Sequence, residues 1–260
     1  GDSETQWSRL AARYLRKEFA LSKEVKRATV HIAGMGLYEL FINGQRIGDQ
    51  VLAPAPTDYR KTILYNTYDV TSMLQTENAI GVTLGNGRFY TMRQNYKPYK
   101  IPTFGYPKLR LNLIVEYADG SKETIATNTS WKLTTEGAIR SNNEYDGEEY
   151  DARKELGNWT QSGYDDKSWI AAQRVSIPSG TLRAQIMPGM KVMDTLKPVS
   201  IQKLGDKYIL DFGQNMAGWM RFRIKGQAGD SIRLRFAETL QANGELYTCL
   251  LYTSPSPRDA

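Results

Sequence analysis

The stretch "RATVHIAGMGLYELFINGQRIGD", residues Arg27 to Asp49, decides the fold. Apolar and polar side chains alternate from Arg27 to Gly34 and again from Tyr38 to Gly44. That alternation puts one set on each face of an extended chain, so both stretches read as half-buried strands. Asn43-Gly44 sits between the second strand and "QRIGD", and both residues accept positive φ, which predicts a two-residue hairpin. Further along, "KLRLNLIVEY" (Lys108 to Tyr117), the turn "ADG" and "SKETIAT" predict a second hairpin, followed by "SWKLTTE" (Ser130 to Glu136). Turn residues recur at intervals of about ten residues, the rhythm of an all-β domain. Only Ser8 to Lys17 and Asp69 to Leu74 leave room for a helical turn or two, the latter with Asp69 or Thr71 as N-cap. The pattern predicts an all-β chain built on a jelly-roll, galactose-binding-like β-sandwich.

Composition narrows the function classes. The chain has 260 residues, enough for a proper core, and its Lys and Arg exceed its Asp and Glu by six. That excess is scattered, which fits solubility better than a nucleic-acid face. No apolar run approaches the roughly 18 residues of a membrane span. His31 is the only histidine and falls on the polar phase of its strand, so it reads as exposed and argues against a zinc site or His-based catalysis. Gly85-Asn86-Gly87 precedes no helix and carries no G-K-[ST], so it is not a phosphate loop. Pro, Gly and Ser cluster between Ser176 and Val192. They divide the chain into a first domain over residues 1–180 and an incomplete second β domain over residues 181–248. In the second, Tyr208 to Gly213, Gly218 to Gly226 and Asp230 to Leu240 read as strands, with Gln227 to Asp230 turning between the last two. Residues 249–260 change character abruptly, hold the single cysteine and read as a foreign tail, so the chain is expected to be a truncated one.

Three stretches carry candidate site residues. From Asn142 to Asp151 there are five carboxylates and no basic residue. One reading makes Glu148 and Asp151 an acid and base pair, which needs a pocket and separated pKa values. A second makes Asn143, Asp146 and Glu148 hard oxygen ligands beside Gly147, a set that suits calcium. The third, preferred because a strand edge supplies no pocket, has Tyr145 and Tyr150 facing the core. The acids then stay wet or meet Arg140 and Arg153 as surface ion pairs. The next stretch, Asn86 to Pro107, holds Tyr90, Tyr96, Tyr99, Phe104 and Tyr106. Sugar rings stack on such aromatics while Arg and Asn bond their hydroxyls, so Tyr90, Arg93, Tyr96, Tyr99 and Asn143 form a candidate carbohydrate surface. The alternative is that these aromatics cover the open end of the sandwich. The third stretch is "DFGQNMAGW" (Asp211 to Trp219). There Gln214 and Asn215 suit a tight corner, Trp219 reads as a packing anchor, and all three are candidates for a domain interface.

The phrases from Val25 to Thr71, "NAIGVTLGNGRFY" (Asn78 to Tyr90) and "YDGEEYDAR" (Tyr145 to Arg153) resemble the N-terminal β-sandwich of bacterial α-L-rhamnosidases, glycoside hydrolase family 78. "ILDFGQNMAGWMRFRIKGQAGDSIRLRFAETLQANGELY" (Ile209 to Tyr247) resembles the next β domain of that family. "GNWTQSGYDDKSWIAA" (Gly157 to Ala172) is similar to a pattern at jelly-roll edges in many sugar-acting enzymes. The resemblance implies a parent that hydrolyses terminal α-L-rhamnose by an inverting mechanism. Its two carboxylates would lie in an (α/α)6 barrel that follows these β domains and is missing from this chain. This fragment alone is therefore expected to be inactive. The alternative function is a non-catalytic module that binds rhamnose-containing glycans, with calcium in some members of the family. The expected partners are such a glycan and the missing barrel, with no nucleic acid and no membrane span. The substrate class implies a periplasmic or secreted parent.

Overall fold

The structure is a computed structural model that describes residues 10–90, 104–143, 147–227 and 229–247. The chain divides into two compact units, Gly1–Val192 and Met193–Ala260.

The first unit is a sandwich of two sheets. One has six strands in the order β12 (Ile170–Ala171), β9 (Lys132–Thr134), β1 (Arg13–Ala20), β6 (Glu77–Gly85), β3 (Leu37–Ile42) and β4 (Gln45–Arg46). The other runs β13 (Thr181–Ala184), β5 (Thr62–Asp69), β2 (Val25–Met35), β7 (Lys108–Tyr117) and β8 (Lys122–Ala126). A two-stranded hairpin of β10 (Ile139–Asn143) and β11 (Gly147–Tyr150) stands apart from both. All pairs are antiparallel except β13 with β5, which is parallel. The alternation read in the sequence becomes the inner face. Val30 and Ile32 of β2 and Leu111, Leu113 and Val115 of β7 meet Leu15 of β1, Val82 and Leu84 of β6 and Leu40 and Ile42 of β3 in one cluster. Each such side chain removed from water contributes about 1.5–3 kcal/mol.

Local chemistry fixes the corners. Asn43 and Gly44 both have positive φ, 50° and 83°, and form the predicted hairpin between β3 and β4. The Asn43 side chain ties that corner to β6: its Nδ2 donates to Asn78 Oδ1 at 2.9 Å, and the Ala79 N–H donates to its Oδ1 at 2.9 Å. The hairpin of β7 and β8 also forms as the sequence predicts.

Two expectations about helix meet different fates. Thr71–Met73 is a single 3-10 turn, entered through Asp69 Oδ1, which accepts from the Thr71 N–H at 3.0 Å and its hydroxyl at 2.6 Å. Arg13 to Lys17, placed in a helical turn from its sequence, is strand β1 instead, paired on both sides by β6 and β9. Pairing wins because Tyr14, Leu15 and Arg16 are all buried there, and only a central strand offers each a partner.

Arg16 is 1 % exposed, and its burial explains the Gly157 to Ala172 stretch. Its Nε donates to the Trp159 carbonyl at 2.9 Å and its Nη2 to the Gln161 carbonyl at 3.0 Å. The guanidinium also pairs with Glu18 and Asp166, and its carbon lies 5.3 Å from the Tyr164 ring centroid. Trp159 and Trp169, both buried, pack with Tyr14 and Ala12 as a separate small cluster.

Among the described residues of the second unit, the only ladder is the hairpin of β14 (Ser200–Leu204) and β15 (Lys207–Asp211). Gly218 to Gly226 and Asp230 to Leu240, which alternate like strands, carry no ladder. Alternation prepares a segment for a sheet, but a strand exists only when a neighbour takes its N–H and C=O groups.

Candidate functional site

At one end of the sandwich, where β1 and β3 begin and β6 and β10 end, polar and aromatic groups gather. The corner after β6 requires glycine twice. Gly36 has φ +129° and a Cβ there would lie 2.3 Å from the Gly85 carbonyl oxygen, while a Cβ on Gly87, at φ +49°, would lie 2.8 Å from Leu37 Cγ. The tight approach turns Asn86 inward, where it is 2 % exposed. Its Oδ1 accepts from Arg13 Nη1 at 3.0 Å, and its Nδ2 donates to the carbonyls of Leu10 at 3.0 Å and Asn142 at 2.8 Å. The Asn86 N–H donates to Asn142 Oδ1 at 2.6 Å. Asn86 thereby stitches β1, β6 and β10 together. Asn142 Nδ2 is buried and finds no acceptor among the described residues. A buried donor in that state costs about 1–3 kcal/mol, which makes it a place for an added acceptor.

The aromatic half of the rim lies beside it. Tyr90 is fully buried and stacks on Tyr106, with ring centroids 6.2 Å apart and planes 4° apart. Tyr106 is 52 % exposed. The Arg13 guanidinium carbon lies 5.9 Å from the Tyr106 centroid. Burial lowers the Arg13 pKa, and Tyr106 and Tyr90 offset part of that. Burial pushes the Tyr90 hydroxyl pKa up, Tyr106 adds to the rise and Arg13 opposes it. Deeper in, Tyr59, Phe89 and Phe104 pack with centroids 4.9 to 5.8 Å apart and close the end of the core.

The acidic stretch occupies the hairpin of β10 and β11, in which Asn142 stands opposite Glu148 and Asn143 opposite Gly147. Glu148 is exposed, yet partial desolvation, and then the charge of Glu39, raise its pKa above the ordinary glutamate value. Asp151 does the reverse: Arg153 Nε and Nη2 each donate to its carboxylate at 2.8 Å and hold its pKa down at about 2. Tyr150, expected to face the core, is 55 % exposed and donates to Glu155 Oε1 at 2.6 Å. The hairpin pairs with neither main sheet; Ile139 of β10 takes the packing on the small cluster of Ala12, Tyr14, Trp159 and Trp169, and Tyr150 is left toward solvent. Arg153 meets the stretch as expected, whereas Arg140 reaches Glu136 at 3.8 Å instead. His31 is half-buried, its Nδ1 3.0 Å from Thr67 Oγ1.

Of the carbohydrate candidates, the structure thus places Tyr90 under the rim as a support, while Arg93, Tyr96 and Tyr99 lie outside the described residues. Of the calcium candidates, Glu148 is on β11 and near Glu39, while Asp146 and the side chain of Asn143 lie outside what is described. Among the described residues, no three His, Cys, Asp or Glu side chains converge as a metal group. Gln214, Asn215 and Trp219 are exposed on the second unit; Trp219, read as a packing anchor, is 58 % exposed. The rim adds Arg13, Asn86 and Asn142, none of which had a site role in the sequence, and it gives Tyr106 the exposed position assigned to Tyr90. Arg13 was hidden by the helical reading. Asn86, an Asn between two glycines at a strand end, did carry a signal, that of a close backbone approach.

Fold and rim define a jelly-roll β-sandwich domain with a polar, aromatic end. The chain belongs to the α-L-rhamnosidase N-terminal domain family, whose sequence profile matches residues 23–194. Residues 202–257 match the bacterial α-L-rhamnosidase concanavalin-like domain. An α-L-rhamnosidase from Formosa agariphila is 40 % identical over 240 residues, covering 90 % of this chain and 25 % of that protein. One from Streptomyces avermitilis is 39 % identical over 263 residues, covering 94 % of this chain and 24 % of that protein. The solved structure of the Streptomyces avermitilis α-L-rhamnosidase complexed with L-rhamnose superposes with a TM-score of 0.85 at 37 % identity, over 94 % of this chain and 24 % of that one. The native Aspergillus terreus α-L-rhamnosidase gives a TM-score of 0.86 at 39 % identity, over 93 % of this chain and 28 % of that one. The chain spans about a quarter of the length of the curated relatives it matches.

Proposed function

We propose that this chain is the supporting β region of an α-L-rhamnosidase, a parent that removes terminal α-L-rhamnose from glycans or glycosides by an inverting mechanism. The two reacting carboxylates belong to a helical barrel outside these residues. The observation that carries this reading is the ordered pair of family matches, residues 23–194 and then 202–257, in a chain that spans about a quarter of its relatives. The acidic stretch supports it from the other side. Glu148 is exposed on a hairpin outside the main sheets, and Asp151, just past its end and partly buried, is spoken for by Arg153. Inversion needs two facing carboxyls roughly 6.5–9.5 Å apart with a water between them, and an open hairpin offers no such enclosure. Joining this region to the remainder of a relative's chain restores rhamnose release if the reading is right; a joined protein that folds and stays inert counts against it.

A second reading, that the sandwich itself binds rhamnose-containing glycan, is favoured by the half-exposed ring of Tyr106 beside Arg13 and by Asn142 Nδ2, which has no acceptor among the described residues. Sugar C–H faces stack on such a ring, and a hydroxyl oxygen accepts from such an amide. Calcium would suit Asn143, Asp146 and Glu148, since a cation would offset the repulsion between Glu148 and Glu39. Calorimetric titration with L-rhamnose, with and without calcium, decides: heat that Tyr106→Ala abolishes supports binding, and no heat in either case removes it.

A further inference from the structure

The chain contains three Asn-Gly pairs, Asn43-Gly44, Asn86-Gly87 and Asn243-Gly244. Such a pair can react with itself, because glycine has no Cβ to shield its backbone nitrogen from the carboxamide carbon before it. The structure gives the three pairs different freedom. Asn86 is buried, with its Oδ1 and Nδ2 committed to Arg13, Leu10 and Asn142. Asn43 Nδ2 donates to the Met73 carbonyl and to Asn78 Oδ1, both at 2.9 Å, and the Gly44 N–H donates to the Thr160 carbonyl at 3.1 Å. Asn243 is exposed, and its Nδ2 has no partner among the described residues. Its Oδ1 accepts from the Glu245 N–H at 3.0 Å, which draws electrons from Cγ and makes that carbon easier to attack. A single bond holds the attacking nitrogen, from the Gly244 N–H to the Gln241 carbonyl at 2.9 Å. The surrounding loop also has few anchors. The Gln241 N–H donates to the Glu245 carbonyl at 2.7 Å, the Tyr247 N–H to the Thr239 carbonyl at 2.9 Å, and Lys207 of β15 reaches Glu245 Oε1 at 3.2 Å. An exposed loop tied this lightly opens often.

We propose that Asn243 is a self-modification site, where the chain converts its own Asn-Gly linkage to isoaspartate and so loosens residues 239–247. The Gly244 nitrogen gives its proton to solvent and bonds to Cγ. The Cγ–Nδ2 bond breaks, and Nδ2 takes up a proton and leaves as ammonia, which closes a succinimide. Water then opens the ring. Attack at Cγ gives aspartate, whereas attack at the backbone carbonyl gives isoaspartate, whose main chain runs through Cβ and Cγ and is longer by one carbon. The added carbon displaces Glu245 from both Gln241 and Lys207.

The test is incubation of the full chain at mildly alkaline pH, with peptide mass mapping of the three pairs and enzymatic methylation specific for isoaspartyl groups. In the folded chain Asn243 should convert at least on the order of tenfold faster than Asn43 or Asn86, whose carboxamide nitrogens must first break two hydrogen bonds each. In urea the three should convert within about threefold of one another, since no fold separates them there. Hydrogen exchange in residues 239–247 should quicken as isoaspartate accumulates. Asn243→Gln, whose longer side chain closes a ring far less readily, should keep its exchange rates through the same incubation. The proposal is overturned if Asn43 or Asn86 converts as fast as Asn243 in the folded chain, if the Asn243 peptide carries no isoaspartate, if the differences persist in urea, or if exchange in the loop is the same before and after conversion.

Discussion

Asn86 decides more than any other single side chain at the rim. It makes four hydrogen bonds that join β1, β6 and β10, and Asn86→Ala leaves the Arg13 guanidinium and two buried carbonyls without it. We expect a loss of about 2–4 kcal/mol, read as a lower urea midpoint at unchanged slope; a loss below about 0.5 kcal/mol would mean the rim is not held this way. Glu148 gives a prediction in pH. Its pKa is raised in the folded chain, so the folded state holds the proton more tightly than the unfolded one. Stability from that group is therefore present at low pH and is lost as pH rises through the folded value. Glu148→Gln should match the parent near pH 3 and exceed it above about pH 6, by less than about 1 kcal/mol because the side chain is exposed. A variant that is less stable at neutral pH would contradict the assigned neighbours. Neither role was legible in the sequence. Asn86 reads as a turn residue between two glycines, and nothing local says that its amide faces inward. The repulsion on Glu148 comes from Glu39, more than a hundred positions away along the chain.

At the scale of elements, alternation told the truth where one phase was purely apolar. β2, β3 and β7 have inner faces of Ala, Val, Ile, Leu and Tyr, and each lies where the pattern put it. β1 was misread because "RYLRKEFA" carries charge on both phases, and one of those charges, Arg16, is buried. An arginine is tolerated there only because Glu18, Asp166 and the carbonyls of Trp159 and Gln161 converge on it, and of these the alternation connects only Glu18. Arg16→Met should therefore cost about 3–5 kcal/mol, and Arg16→Lys should recover little, since one ammonium does not span four acceptors. Hydrogen exchange in residues 157–169 of either variant should accelerate ahead of β2 and β7. Equal protection throughout would show that this loop is held by its tryptophans alone. The opposite failure occurs at Gly218 to Gly226: a well-alternating segment with no ladder, because the sequence of a strand does not contain its neighbour.

For the whole molecule, the first unit has a closed inner core and the second leaves Phe222, Ile224, Ile232, Leu234 and Phe236 exposed. Local opening should then be concentrated in the second unit. Limited proteolysis is expected to cleave first between residues 213 and 240, leaving a resistant first unit; initial cuts inside β2 or β7 would reverse that ranking. The central claim is that this β region supports catalysis and does not perform it. The direct measurement is rhamnose release from an aryl α-L-rhamnoside by this chain and by its Glu148→Gln variant. Neither should release sugar above the rate without protein. Turnover by the chain that the single substitution abolishes would place the reactive acids on the β10 and β11 hairpin and contradict the account.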